Sequence, residues 1–298
     1  MSVDIESRMT PASEASPARV YLRQQLEQEY KTYFGMPPAH FFEQTVNAWM
    51  DDANNSKHRF DTIKKHLPDA KRVLDMASGC GSAVFYGLLN GYDMRGVDPE
   101  AWKHTFNAMK AAEYGYPREW ITRFHTGVGE SLPYEDDHFD CTTSYQTLEH
   151  VQDVRKALTE MLRVTRAGGG AHIHCPDYSS TFEGHYRLPW LPLFPRSWAE
   201  AYLRALGRPV KGLGTLNYTT RANILRTLRS IGRENPSWRL QVVDVERANV
   251  ERTLGKALGS GARPLAPLAL KLARAVRYAR KLFTAELTVD LFVYVRAK

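Results

Sequence analysis

Cysteine is scarce in this chain of 298 residues: Cys80, Cys141 and Cys175 stand alone, with no C-x-x-C spacing. That excludes a disulfide framework and a cysteine-built zinc site, and it fits reduced thiols in a cytoplasmic protein. Long apolar runs are missing as well. No stretch approaches the roughly 18 apolar residues that cross a bilayer, and residues 1–18 lack the apolar centre of a secretory signal. A transmembrane or exported protein is therefore not expected. Acid is the minority charge, with 33 Asp+Glu against 40 Lys+Arg and a formal net charge of +7. Such an excess favours an anionic partner: a nucleic acid, a phospholipid surface or a phosphate-bearing substrate. Two nucleotide signatures are also lacking. A nicotinamide-type G-x-G-x-x-G read from Gly79 fails at Val84, and no GK[ST] follows to make a P-loop.

What is present is a rhythm. Residues 1–18 read as a mobile tail and 19–70 as an N-terminal helical cap broken at Pro37-Pro38. Strands are expected at Arg72–Met76, Met94–Asp98, Ile121–His125, Phe139–Ser144 and Ala171–Cys175, with helices at Ser82–Leu89, Glu100–Tyr114 and Asp153–Thr165. This alternation predicts an α/β fold with a mostly parallel sheet covered on both faces, and a ligand at the carboxyl ends of its strands. Between residues 176 and 202, seven aromatics from Tyr178 to Tyr202 recur every four residues, but Pro189, Pro192 and Pro195 prevent one continuous helix. A helix is expected at Thr219–Ile231 and strands at Arg239–Val243 and Thr288–Val295, with a basic insertion between those strands.

The first strand runs into Asp75-Met76-Ala77-Ser78-Gly79-Cys80-Gly81, an acid followed by a small-residue turn and a helix start. Small residues there let a ligand approach the backbone closely, and the helix start offers free N–H groups. Asp98, before Pro99, ends the second strand and is placed either to accept both hydroxyls of a ribose or to cap the next helix. The run from Val73 to Pro176 resembles the class I S-adenosylmethionine-dependent methyltransferases of the type 11 domain family. Asp75, Gly79 and Gly81 match the family's acid-x-G-x-G-x-G, with Ala77 at the first glycine. Gly127-Val128-Gly129-Glu130-Ser131-Leu132-Pro133 resembles the segment beside the adenine, with Val128 where an Asp often reads the amino group. Phe139-Asp140, Ser144 and Glu149-His150-Val151 match a further motif, as do Glu160, Arg163-Val164 and Gly168-Gly169, where Ala167 replaces the usual proline. The resemblance implies a Rossmann-like, seven-stranded sheet with an antiparallel last strand, spanning 71–298, and S-adenosyl-L-methionine as cofactor. The residues it implies for that cofactor are Asp75, Ala77, Ser78, Gly79, Gly81, Asp98, Pro99, Gly129, Glu130, Ser144 and Tyr145.

The acceptor belongs near the ends of the fourth and fifth strands, under a lid at 176–235. His150, Asp177 and His185 are the candidate catalytic residues. His150 is a base or orients Glu149, Asp177 is a base or a turn residue, and His185 positions an acceptor or packs the lid. His172, His174 and Cys175 invite a metal reading, but no matching second pair exists, so no metal is expected. No base-methylating [DNS]-P-P-[YF] motif follows the fourth strand, where Ser144-Tyr145-Gln146-Thr147 stands, and nucleic acid is not the expected partner. The insertion at 245–285 carries eight Lys/Arg and one acid within 251–283. Its cations recur at helical spacing, which suits an anionic membrane surface or a solvated helix face. The leading expectation is O-methylation of a sugar or glycolipid hydroxyl at the cytoplasmic membrane face. A small aromatic or quinone-like acceptor is the second reading, and a catalytically silent cofactor-binding adaptor the third.

Overall fold

The computed structural model describes residues 16–54, 56–249 and 286–297. Most of the expected tail, and the basic segment from 251 to 283, lie outside the described residues.

Ser16 caps the first helix, α1 (Pro17–Glu29), by accepting from the Arg19 N–H, and Pro17 occupies the first turn, where its missing N–H costs nothing. A π-helical turn at Tyr30–Phe34 and Gly35, at φ 79°, end that helix before the proline pair. Helices α2 (Ala39–Met50) and α3 (Ser56–His66) follow. Leu22, Leu26, Phe42 and Val46 pack this layer against Phe106 of α5 (Ala101–Glu113).

The sheet has seven strands in the order β3-β2-β1-β4-β5-β9-β8. Strands β1 (Arg72–Met76), β2 (Asp93–Val97), β3 (Phe124–His125), β4 (Phe139–Tyr145) and β5 (Thr165–Asp177) run parallel. Helices α4 (Ser82–Leu89) and α6 (Val154–Val164) are crossovers that cover the sheet. Residues 73–76 of β1 are all buried, as a central strand covered on both faces requires. The last strand, β9 (Leu287–Ala297), is antiparallel to both neighbours and lies between β5 and β8 (Trp238–Asp244), so the edge itself falls to β8. Third-strand pairing is shorter than the sequence pattern predicts, because Pro117 opens a 3-10 turn over Arg118–Arg123 and only two residues pair. The fifth strand is longer, since Thr165 already pairs with Phe139 ahead of a register shift.

The segment after β5 folds as a separate cluster over the strand ends. It comprises a hairpin of β6 (Phe182–Glu183) and β7 (Leu188–Pro189), helix α7 (Arg196–Ala205) and helix α8 (Arg221–Glu234), which packs back on the sheet. Of the seven periodic aromatics, Tyr178, Tyr186, Trp190 and Phe194 are buried together, whereas Trp198 is exposed. Among the described residues, no helix is long and apolar enough to cross a membrane.

Candidate active site

Four turns meet at the carboxyl ends of β1 to β4. In the first, Ala77, Gly79 and Gly81 all have positive φ, at 57°, 53° and 71°. A Cβ on Gly81 would lie 2.8 Å from the Phe124 ring, so packing as well as conformation demands glycine. On Gly79 a Cβ would meet nothing within 4 Å, which leaves that face of the turn open. The Ser78 side chain is buried against Gly96 of β2, where an added Cβ would lie 2.5 Å from its hydroxyl.

Asp98 directly follows β2. Its carboxylate accepts from the Gly79 and Glu100 N–H groups, each at 3.0 Å, and lies 3.6 Å from Lys103 Nζ. Burial lowers the Lys103 pKa, but Asp98 and Glu100 together outweigh it and hold it above its usual value. Pro99 is exposed and turns the chain into α5. In the third turn, Gly129 packs on Met76, with space for a Cβ only 2.9 Å from its sulfur. Glu130 accepts from the Gln152 and Asp153 N–H groups at 2.6 and 3.2 Å, and Val128 is exposed. At the end of β4 the buried Ser144 hydroxyl has no hydrogen-bond partner. The Tyr145 ring stacks on His174 at 4.2 Å, with the Arg59 guanidinium 4.6 Å from its centroid.

Asp75 already has its partners within the fold. It is buried in an ion pair with Arg59 at 2.6 Å and accepts from the Thr143 hydroxyl at 2.9 Å. Arg59, on α3, therefore touches both the acid that ends β1 and the aromatic that ends β4. No motif flagged it, because its partners become neighbours only when the cap docks. Asp177 is likewise occupied: it accepts from the Ser179 N–H and hydroxyl at 3.0 and 2.7 Å and from the Arg221 N–H at 3.2 Å. This is the geometry of a turn residue.

His150 and His185 do come together, with their Nε2 atoms 3.2 Å apart. Glu149 lies beside them, wholly buried, and among the described residues neither carboxylate oxygen has a hydrogen-bond partner. Burial pushes its pKa up to about 8. His185 is stacked on Phe34 and its Nδ1 lies 2.7 Å from Glu183. Burial works against its charge, but the Glu183 carboxylate outweighs that and holds its pKa up at about 9. Desolvation, and then the charge on His185, hold His150 below the usual histidine range. Glu183 had no signal beyond standing two residues before His185. The tempting trio resolves otherwise: His172 bonds Asp290 at 2.8 Å, His174 stacks on Tyr145, and Cys175 is buried.

Residues 60–173 match the family model described as a methyltransferase domain. This segment carries the methyltransferase-domain pattern. Across 136 residues the chain is 32% identical to a demethylmenaquinone methyltransferase of Paenarthrobacter aurescens, covering 46% of this chain and 47% of that one. It is 35% identical over 98 residues to an uncharacterized methyltransferase of Bacillus subtilis, covering 33% and 38%. The matched stretch thus spans less than half the length of these curated relatives. A phosphoethanolamine N-methyltransferase of Haemonchus contortus, solved with S-adenosyl-L-methionine, shares the fold at a TM-score of 0.50 and 16% identity, over 93% of this chain and 60% of that one.

The methyl donor of the methyltransferase-domain family is S-adenosyl-L-methionine, and the residues here fit it. The open face at Gly79, the carboxylate of Asp98 at the next strand end and the unpartnered Ser144 hydroxyl all lie on the strand-end side of the domain. Asp98 has lone pairs left for ribose hydroxyls beyond the two backbone bonds it accepts. Ala77 holds by backbone conformation the place of a glycine, and Val128 is exposed where the family pattern has a carboxylate.

Proposed function

We propose that the chain transfers the methyl group of S-adenosyl-L-methionine to a hydroxyl of a sugar or glycolipid. The observation that carries this reading is the Glu149–His150–His185 cluster, polar and partly open, set under the aromatic lid beside the donor turns. When bound, the donor supplies a sulfonium methyl: its S–C bond breaks as the acceptor oxygen forms the new C–O bond, leaving a neutral thioether. The chain's part is to align the acceptor and to remove its hydroxyl proton. Asp98 and the Gly79 turn hold the donor. The cluster handles the proton, and Phe34 with the buried lid aromatics walls the acceptor side. Aromatic faces among polar groups suit sugar stacking. The cations of 251–283 suit an acceptor presented at an anionic membrane surface, on the cytoplasmic side.

A quinone-like aromatic acceptor is the second reading, favoured by the Paenarthrobacter relative, a demethylmenaquinone methyltransferase. The test is incubation of purified protein with methyl-labelled S-adenosyl-L-methionine and host extract, followed by fractionation. Label in saccharide polymer or glycolipid is the expected outcome. Label in the neutral quinone fraction replaces the sugar with the second reading. Donor binding without label in any fraction overturns both and leaves a silent adaptor.

A further inference from the structure

We infer that Glu149, His150 and His185 form a binding site for one divalent transition-metal ion. Their ligand atoms all lie within 4.8 Å of one another. Two nitrogens bound side by side to an ion at about 2.0–2.1 Å are about 3.0–3.4 Å apart, and the two Nε2 atoms here are 3.2 Å apart. Glu149 Oε1 is 4.0 Å from His150 Nε2, so a carboxylate movement of about 1 Å completes the set.

Three further features point the same way. Among the described residues both Glu149 oxygens are buried without a hydrogen bond, which leaves their lone pairs free for an ion that displaces the carboxyl proton. Glu183 accepts from His185 Nδ1, so the proton that an ion would displace from that ring is the one on Nε2, toward the cluster. A carboxylate behind a metal-binding histidine does this in known sites, fixing both tautomer and ring orientation. Glu183 is itself fixed by the Tyr186 N–H at 2.6 Å and the Tyr178 hydroxyl at 3.3 Å. The third feature is access: the His150 side chain is 40% exposed, so the set is closed on the Glu149 side and open on the other.

Two imidazoles and one carboxylate with open positions suit zinc, cobalt or iron(II) better than magnesium or calcium, which favour all-oxygen sets. An ion there polarises an acceptor hydroxyl at its open position. That role rests on the proposed O-methylation, whereas binding of the ion does not.

The test is titration of the tag-free, chelator-treated full chain with Co²⁺, read by its visible d–d absorption, with Zn²⁺ in competition. One saturable site is expected, weakened at least tenfold in His150→Ala, His185→Ala and Glu149→Gln. In Glu183→Gln, which touches no ion, affinity falls roughly 10- to 100-fold. Melting curves in chelator identify any variant that fails to fold; Glu149→Gln keeps the side-chain size and replaces the carboxylate ligand with an amide, so it is the variant that decides if the alanine forms unfold. Absence of saturable binding overturns the proposal, as does binding that persists unchanged in folded Glu149→Gln. Calorimetry with S-adenosyl-L-homocysteine on the same samples separates the two readings. Donor binding without Co²⁺ binding removes the metal site alone, and the reverse removes the methyltransferase reading alone.

Discussion

At Asp98, one carboxylate meets two backbone N–H groups and a lysine, at the strand end where a ribose is expected. Charged hydrogen bonds to two ribose hydroxyls contribute about 1.5–3 kcal/mol each. Asp98→Ala is therefore expected to weaken S-adenosyl-L-homocysteine binding by roughly 100-fold or more, read by calorimetry on a variant whose melting curve shows it folded. Unchanged affinity would remove Asp98 from the site. Residue-scale motifs were informative about where this acid lies, directly after its strand, though not about its bond to the Gly79 N–H, 19 positions earlier. They were less so for Asp75, which sits in an equally recognisable motif but is taken up by Arg59 from a distant helix. The same holds for Asp177, a strand-end acid engaged by Ser179 and by the start of α8. Residue type and spacing locate a strand end; they do not say which way its side chain turns.

Between elements, the decisive contacts are buried charges that local periodicity does not reveal. Lys110 on α5 and Asp52, just after α2, form an ion pair with both side chains 0% exposed, and the Tyr116 hydroxyl also donates to Asp52. Removing one partner strands the other charge, so Lys110→Met is expected to cost about 3–5 kcal/mol in chemical denaturation. The double variant with Asp52→Leu should recover much of that loss, whereas additive losses would show that the pair is not coupled. Asp140 joins three strands: it accepts from the Lys71 and Arg72 N–H groups at the start of β1 and from Arg166 in β5. Burial raises its pKa, but Arg166 first and the two backbone donors next hold it down at about 2. Because the folded value lies below the unfolded one of about 3.9, its stabilisation is fully present above pH 4 and is lost as pH falls through 2. A shift of this size corresponds to about 2–3 kcal/mol. Asp140→Asn should lose that amount at pH 7 and show a flatter stability profile between pH 4 and pH 2. Strand order and crossovers were legible from the alternation of apolar runs, whereas these ties join residues as many as 69 positions apart in the chain. The segment proposed as a lid was legible only as aromatic spacing, since its hairpin forms across Gly184–Arg187, where the Glu183 contacts to His185 and Tyr186 set the path.

For the whole molecule, charge is distributed in a way that the total conceals. The eight cations and one acid of residues 251–283 amount to the entire formal excess of +7, so the rest of the chain is formally neutral. Any attraction of the protein to an anionic surface is therefore concentrated in a single segment of the sequence. Each basic residue near an anionic leaflet contributes about 1 kcal/mol, and salt screens that attraction over about 10 Å at 0.1 M. Co-sedimentation with phosphatidylglycerol-containing vesicles should accordingly be strong at low salt, fall steeply toward 0.5 M (where screening is roughly complete), and vanish when residues 251–283 are deleted. The deletion should leave S-adenosyl-L-homocysteine binding intact, since the donor turns all lie before residue 151. Vesicle binding that survives the deletion would place the attraction elsewhere and detach the membrane from the proposed acceptor. Loss of vesicle binding, with transfer to a soluble sugar acceptor retained, would instead mean that the segment delivers the domain to its substrate and takes no part in the chemistry.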